Sequence, residues 1–305
     1  MNLSPVQSSR WIAALLIFIS ALCFSAKAVI IKLAYRYDID STSLLTLRMI
    51  FAMPFFLAVA WYARPKNMPE ARLRRKEWGQ ILIYGLLGYY FASLFDFMGL
   101  QFVTASLERL ILFVYPTIVL VLSAVIFKKK ITATQLVALV LTYLGISVAF
   151  LDGAEVLAGS NIPWGAFLVF LSAVSYAVYL IGTASLLPKL GTLRYTSLAI
   201  SVAGVAIILH HGIQFQWKLW HYPPQVYGLS FLMAILSTVL PTFLVSEGVR
   251  RIGPGNAAII ASIGPVATIG LGYWFLGEGF GFWQLMGTLL VMAGVVYIST
   301  AKGGV

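Results

Sequence analysis

The sequence predicts an all-α integral membrane protein of ten transmembrane helices, arranged as two five-helix halves of opposite orientation. Three observations predict this fold class: an apolar composition, ten runs long enough to cross a bilayer, and an internal repeat. Hydrophobic residues make up 60% of the 305 residues and charged residues only 10%, whereas soluble domains carry about 25% charged residues. The composition therefore favours a chain that lies mostly in lipid.

Ten apolar runs of about 20 residues, the length that crosses the hydrocarbon core, follow one another along the chain. Short connections join them, and the longest polar segment, residues 64–78, is a basic loop. The predicted spans are 11–33, 43–63, 79–100, 104–127, 132–151, 163–186, 192–211, 225–249, 254–276 and 281–301. A cleaved signal peptide is an alternative for the first run, but Lys27 within Ala26-Lys27-Ala28 fits a cleavage site poorly.

The lysines and arginines predict the orientation. If the N-terminus is cytoplasmic, fifteen of the 21 lie on the inner side, three lie outside and three fall within helices. Inner loops carry the excess of positive charge, so both termini are predicted to be cytoplasmic. The formal net charge of +11 is thus a topology signal, and it requires no nucleic-acid partner. The single cysteine, Cys23, excludes a disulfide within one chain.

The chain also repeats itself at an offset of 149 positions, which becomes 152 near the start of each half. The matched pairs include Gly99 and Gly248, Ile111 and Ile260, Pro116 and Pro265, Gln135 and Gln284, and Gly145 and Gly294. The halves are predicted to be residues 11–151 and 162–301. Five helices per half force opposite orientations. The charges agree, because three lysines at 128–130, predicted inside, match Gly-Glu-Gly at 277–279, predicted outside. This pattern indicates an inverted-topology duplication, as in many secondary transporters.

Three segments carry a family resemblance: LLTLRMIFAMPFF in the second predicted helix, GLQFVTASLERLILFVYPTIVLVLSAVIF in the third and fourth, and GVRRIGPGNAAIIASIGPVATIGLGYWFLGEGFGFWQLMGTLLVMAGVVYIS in the second half. On these segments the chain resembles the EamA-type transporters of the drug/metabolite transporter superfamily, although the first half has FKKK where the second has LGE. The resemblance implies ten helices around a central cavity lined chiefly by helices 1, 3, 4, 6, 8 and 9. It also implies a substrate among amino acids, nucleosides, drugs or other metabolites.

Five charges fall within the predicted spans of the first half, in one layer toward the outer face: Lys27, Arg48, Asp96, Glu108 and Arg109. Hydrocarbon penalises each by about 2.5–3.5 kcal/mol on insertion scales, so such groups usually pair or mark a pathway. One interpretation is an ion-pair network, including Arg48, that locks helices 1 to 4 together. In the other, Lys27 or Arg109 receives an anionic group of the substrate, while Glu108 or Asp96 binds its amino group or carries a coupling proton.

Other candidates are aromatic or amide side chains. Tyr89, Tyr115, Tyr176 and Tyr179 fall on helices that the resemblance assigns to the cavity, where they could stack a flat substrate or simply pack. Asn256 could offer hydrogen bonds, or it could cap a helix after Gly-Pro-Gly.

Pro116 and Pro265, at equivalent positions of the two halves, predict paired kinks, which either serve gating or are simply tolerated. The sequence contains no catalytic or nucleotide-binding motif. His210, His211 and His221 are interpreted as residues of an outer loop, so no metal or other cofactor is expected.

The sequence therefore predicts a secondary transporter of a bacterial inner membrane that acts on a small metabolite such as an amino acid. Alternating access would be coupled to protons or to exchange, and the resemblance favours export. The partners are a small-molecule substrate and the lipid bilayer, and a monomer is sufficient. The alternatives are a passive channel, a non-transporting membrane subunit, or an intramembrane enzyme acting on lipid-linked substrates.

Overall fold

The computed structural model describes residues 5–63, 73–128, 133–149, 161–183, 186–261, 263–279 and 281–300, which form helices with no strand among them. The α-helices are α1 (Pro5–Tyr35), α2 (Ser41–Tyr62), α3 (Arg75–Gly85), α4 (Ala92–Gly99), α5 (Ala105–Leu112), α6 (Tyr115–Phe127), α7 (Ala133–Ala149), α8 (Ile162–Thr183), α9 (Leu187–Leu190), α10 (Thr192–Phe215), α11 (Pro224–Ala234), α12 (Leu240–Ala261), α13 (Gly264–Leu271) and α14 (Phe282–Thr300). Three π-helical segments extend them: Leu86–Phe91 joins α3 to α4, Ile235–Val239 joins α11 to α12, and Gly272–Leu276 continues α13.

The protein is an all-α, multi-pass membrane protein. Seven helical stretches of the described chain are long and apolar enough to cross a bilayer: Trp11–Tyr35, Ser41–Tyr62, Arg75–Gly99, Ala105–Ile126, Ile162–Gly182, Thr192–Phe215 and Pro224–Gly248. Helices satisfy their own backbone hydrogen bonds, as lipid requires, and large apolar side chains such as Leu15, Phe55 and Ile83 are exposed. These faces suit contact with lipid tails.

Three of the predicted spans are not among these seven. The helix α7 has 17 residues, α13 has eight, and the apolar part of α14 covers Phe282–Gly294. The number of ten spans therefore stays a prediction.

Pro116 and Pro265, where the sequence predicts paired kinks, each lie in the first turn of a helix that begins after a break. The helix α5 ends at Leu112 and α6 begins at Tyr115, so Pro116 lies in the first turn of a new helix. Pro265 is placed in the same way in α13. Proline lacks the N–H that an interior position would need, whereas the first turn leaves that position free. Each proline therefore accompanies a break in its span.

The boundary predicted between the eighth and ninth spans is wrong. The helix α12 continues without interruption across residues 250–253, which the sequence predicts as a loop. Asn256 thus lies inside a helix and caps none, and its side chain is outside the described part of the chain. The helix α12 packs along α1, and packing of this kind can outweigh the low helix propensity of Gly-Pro-Gly.

The first helix of each predicted half packs against the other half. The helix α1 contacts α11, α12 and α13, whereas α8 contacts α3, α4, α5 and α6. The second helices, α2 and α10, pack on each other, and so do the last helices, α7 and α14. The largest apolar core lies where α1, α2, α10 and α11 meet. The two halves are therefore interleaved.

Candidate functional site

Lys27 on α1 lies between two carboxylates of other helices. Its Nζ is 2.6 Å from Asp96 Oδ2 on α4 and 3.3 Å from Glu108 Oε1 on α5. The exposed fraction of the side chain is 17% for Lys27, 3% for Asp96 and zero for Glu108. The structure thus brings together three of the five charges that the sequence places in one layer.

The charges of this cluster do not balance. One ammonium faces two carboxylates, and Asp96 Oδ1 and both oxygens of Glu108 have no hydrogen-bond partner among the described residues. A buried ion pair is costly to desolvate and costlier to break, because removal of one partner leaves an uncompensated charge. The arrangement is chemically suited to take up a proton or a second cationic group.

Arg48 does not join this cluster, contrary to the predicted network. Its Nε donates to Thr238 Oγ1 at 2.8 Å, and its guanidinium lies 5.5 Å from the centroid of the Phe97 ring. Within the described chain, no carboxylate lies at ion-pairing distance from Arg48. Arg48 instead ties α2 to the π-helical segment Ile235–Val239.

Arg109 also lacks an ion-pair partner among the described side chains. Its guanidinium lies 5.8 Å from the centroid of the Phe113 ring, and its buried Nε has no hydrogen-bond partner. The side chain reaches across to α13 of the second half, where a methyl group on Gly264 would lie 2.8 Å from Arg109 Nη2. Gly264 therefore leaves the space that the guanidinium occupies.

The four predicted tyrosines form a continuous series of ring contacts. The centroid distances are 5.3 Å for Tyr115 and Tyr176, 5.6 Å for Tyr176 and Tyr179, and 5.1 Å for Tyr179 and Tyr89. The hydroxyls of Tyr89 and Tyr179 are 3.3 Å apart. Tyr195, which is not among the residues predicted from the sequence, stacks its ring on Tyr179 at a centroid distance of 6.1 Å. Tyr179 is buried, whereas Tyr89, Tyr115 and Tyr176 keep accessible surface.

Two of the three histidines are not loop residues, because α10 extends to Phe215 and includes them. His211 is fully buried, and its Nε2 lies 3.0 Å from Ser43 Oγ. His210 Nδ1 lies 3.0 Å from the Tyr90 hydroxyl. The described residues contain no group of three or more histidine, cysteine or acidic side chains that could hold a metal ion.

A further acidic residue, Glu278, is in contact with the start of α5. Its Oε1 accepts from Ala105 N at 2.8 Å, and its Oε2 accepts from Ser106 N at 3.3 Å and from Ser106 Oγ at 3.0 Å. Glu278 is not among the site residues predicted from the sequence, where it is only the counterpart of the lysines at 128–130. A signal was present, since Gly277 before it and Thr104 at the start of α5 are both typical of helix ends.

Comparison with known proteins places the chain among transporters. The EamA-like transporter family matches residues 11–151 and 163–300. The uncharacterized transporter YcbK of Bacillus subtilis (strain 168) is 32% identical over 296 residues, which cover 94% of this chain and 93% of YcbK. The uncharacterized inner membrane transporter YicL of Salmonella typhimurium is 21% identical over 287 residues, which cover 93% of each chain.

A solved crystal structure has the same fold, with a TM-score of 0.65 at 15% identity over 93% of this chain and 95% of its own. That likeness bears on the fold alone, whereas the family match extends along nearly the whole sequence. The chain belongs to the EamA-like transporter family.

Proposed function

We propose that this protein is a secondary transporter of the bacterial inner membrane, which exports a small metabolite such as an amino acid by alternating access. The ten spans form two inverted halves, residues 11–151 and 162–301, with both termini in the cytoplasm. The observation that carries this proposal is a set of contacts that recur in both halves at the offsets of the sequence repeat.

The first recurring contact joins a glycine to the first helix of the other half. A methyl group on Gly99 would lie 2.6 Å from the Val169 side chain and 2.9 Å from the Gly165 carbonyl oxygen. A methyl group on Gly248 would likewise meet the side chain of Ile17 and the carbonyl oxygen of Ala13. Gly248 follows Gly99 by 149 positions, and the α8 partners follow the α1 partners by 152. Such equivalence supports a two-fold relation between the halves, the basis of rocking-type alternating access.

The irregular turns recur as well. The π-helical segments joining α3 to α4 and α11 to α12 begin at Leu86 and Ile235, and the helices after the breaks begin at Tyr115 and Gly264. Both pairs are separated by 149 positions. Because π turns and helix breaks are concentrated at functional sites and hinges, their repetition supports paired moving elements, with Pro116 and Pro265 as gating positions.

Arg109 is the cation best suited to receive the substrate. Lys27 is already engaged by Asp96 and Glu108, whereas the Arg109 guanidinium has no anionic partner in the described chain. A partly buried arginine without a partner is unfavourable by itself, and a bound carboxylate would satisfy it with a charge-assisted, bidentate contact. Tyr115 and Tyr176 could then hold a flat part of the substrate, with Tyr89 and Tyr179 behind them.

The Lys27 cluster supplies a route to coupling. One ammonium between two carboxylates leaves one negative charge uncompensated, so Asp96 or Glu108 can bind a proton, or the substrate amino group, and make the cluster neutral. Ionisable groups of this kind within membrane spans commonly serve as proton relays. We assign the coupling role to this pair and the anion-binding role to Arg109.

A first test of the proposal looks for a ligand and then measures its transport. Purified protein is screened by thermal shift against amino acids, nucleosides, organic acids and cationic drugs, and the stabilising compound is then followed in proteoliposomes under an imposed pH gradient. We expect saturable movement against the concentration gradient of the compound. Flux that only ever runs downhill would identify a passive channel. Absence of any ligand and any flux would identify a non-transporting subunit.

A second test addresses the orientation. Cysteines placed one at a time within 128–130 and 277–279, in a Cys23→Ala background, are labelled with an impermeant maleimide in intact and in lysed cells. The proposal requires the second loop to react in intact cells and the first only after lysis. Labelling of both loops from the same side would exclude inverted halves.

A further inference from the structure

Glu278 connects the two predicted halves at one end of the bundle. Its two carboxylate oxygens accept three hydrogen bonds from Ala105 and Ser106, at 2.8 to 3.3 Å. Leu107 N donates to Thr104 Oγ1 at 3.1 Å. Hence the first three N–H groups of α5 are all bonded, two of them by a residue of the second half. A carboxylate also suits the positive end of a helix dipole.

The local chain is shaped to deliver this carboxylate. Gly277 has a φ of 68°, the left-handed conformation that favours glycine, and it turns the chain at the end of the π-helical segment Gly272–Leu276. Glu278 N then donates to Gly272 O at 3.2 Å. A methyl group on Gly272 would lie 2.9 Å from Glu278 Oε2, so the glycine leaves room for the carboxylate beside Ser106.

The repeat predicts that the opposite end lacks this contact. At the offset of 149, Glu278 corresponds to Lys129 and Ala105 to Pro254. A lysine ammonium donates and cannot accept, and proline has no backbone N–H. Lys129 lies outside the described residues, and only its residue type bears on this difference between the two ends. The contact that Glu278 makes is therefore not available at its equivalent position, whereas at the end predicted to face inward Lys189 of the second half pairs with Glu77 of the first half at 2.7 Å.

We propose that Glu278 is a gate latch, which holds the halves together at the end predicted to face outward and must leave α5 before the transporter opens to that side. The proposal rests on alternating access as the mode of transport. The contact is made in this structure, which therefore corresponds to a state that is closed at the end predicted to face outward. Export of a substrate collected from the cytoplasm starts from such a state.

The test measures opening directly, with no substrate. Spin labels are attached to cysteines at Gln101 and Phe282, two exposed positions that lie four residues from Ala105 and from Glu278 in the sequence, in Cys23→Ala protein in nanodiscs. Double electron–electron resonance reports the distances between them. Glu278→Gln, which removes the charge and one acceptor oxygen, is expected to increase the population of the longer distance about fivefold, as a weakened charge-assisted contact shifts a two-state equilibrium.

Two further variants make the result specific. Ser106→Ala removes one bond to Glu278 and keeps the carboxylate, so it should shift the distances in the same direction by a smaller amount. Glu247→Gln is the control: it removes a carboxylate that pairs with Arg251 on its own helix at 2.6 Å, and it should leave the spin-label distances unchanged. If a melting curve of the same sample shows that Glu278→Gln is unfolded, the distances measured in Ser106→Ala decide the outcome.

The latch is refuted if neither Glu278→Gln nor Ser106→Ala changes the distances, or if Glu247→Gln changes them equally. That outcome is distinct from failure of the proposed function, which would appear as absence of uphill transport by the unaltered protein whatever the distances show.

Discussion

Lys27 on α1 and Asp96 on α4 are held 2.6 Å apart between Nζ and Oδ2, in a site where 3% of the aspartate side chain is exposed. The pair attaches α1 to its own half, while the rest of α1 packs along α11, α12 and α13 of the other half. Any movement of one half against the other therefore changes the surroundings of this ion pair, which lies where the proposed coupling requires a proton site.

Lys27→Met should destabilise the protein by about 3–5 kcal/mol, because it leaves Asp96 and Glu108 buried without a cation. The measurement is the free energy of unfolding in detergent. Lys218→Met, at an exposed loop position, is the control and should change little. Adding Glu108→Gln to Lys27→Met should recover part of the loss. Equal stability of Lys27→Met and the unaltered protein would mean that the cluster is already neutralised in another way.

Arg109→Ala should weaken binding of a carboxylate ligand by about tenfold or more, or at least ~1.4 kcal/mol, without lowering the melting temperature of the free protein. The physical reason is that Arg109 has no ion-pair partner to lose within the described chain. Titration calorimetry with the acid and its amide separates the charge from the rest of the ligand. Arg251→Ala, which breaks a partly exposed ion pair on α12, should leave the affinity unchanged. An equal loss of affinity in Arg251→Ala would show that Arg109 has no special role in binding the carboxylate.

Gly264→Ala should reproduce much of the Arg109→Ala defect, because the added methyl group would lie 2.8 Å from Arg109 Nη2 and displace the guanidinium. Gly270→Ala is a matched control on the same helix, where nothing lies within 4 Å of the added group. In the Arg109→Ala background, Gly264→Ala should cause no further loss of affinity. Additive losses in the double variant would show that Gly264 acts independently of Arg109.

Tyr176→Leu should reduce affinity for a flat ligand more than for an aliphatic one, since it removes the ring that contacts both Tyr115 and Tyr179. Aromatic pairs contribute about 0.5–1.5 kcal/mol beyond area burial, so a loss of several-fold is expected. Phe167→Leu, an exposed position on the same helix, is the control. Parallel losses for both ligand types would point to a packing role for the tyrosines.

The charged residues show what the sequence could and could not predict. Helix depth follows from counting residues, so the sequence predicts Lys27, Asp96 and Glu108 at similar depth, and the structure brings these three into contact. The partner that each charged side chain contacts depends on the rotation of its helix and on which helices are neighbours. Arg48 faces Thr238 of the second half, and no spacing in the sequence indicates that contact.

Helix ends were harder to predict than helix cores. The contact of Glu278 with α5 spans 173 residues, so a local capping pattern cannot reveal its partner. His210 and His211, which the sequence predicts in an outer loop, lie within α10, and His211 is buried against Ser43. The Gly-Pro-Gly sequence suggested a boundary within what is a continuous α12.

The exchange of first helices between the halves has a consequence for biogenesis. When α1 enters the membrane, the helices α11 to α13 against which it packs have not yet been synthesised. The surface of α1 that these helices cover must therefore stay in contact with lipid until the last third of the chain is inserted, whereas Lys27 can already pair with Asp96 and Glu108 of its own half. Either half expressed alone should be degraded, whereas the two fragments produced together should assemble and purify as a complex.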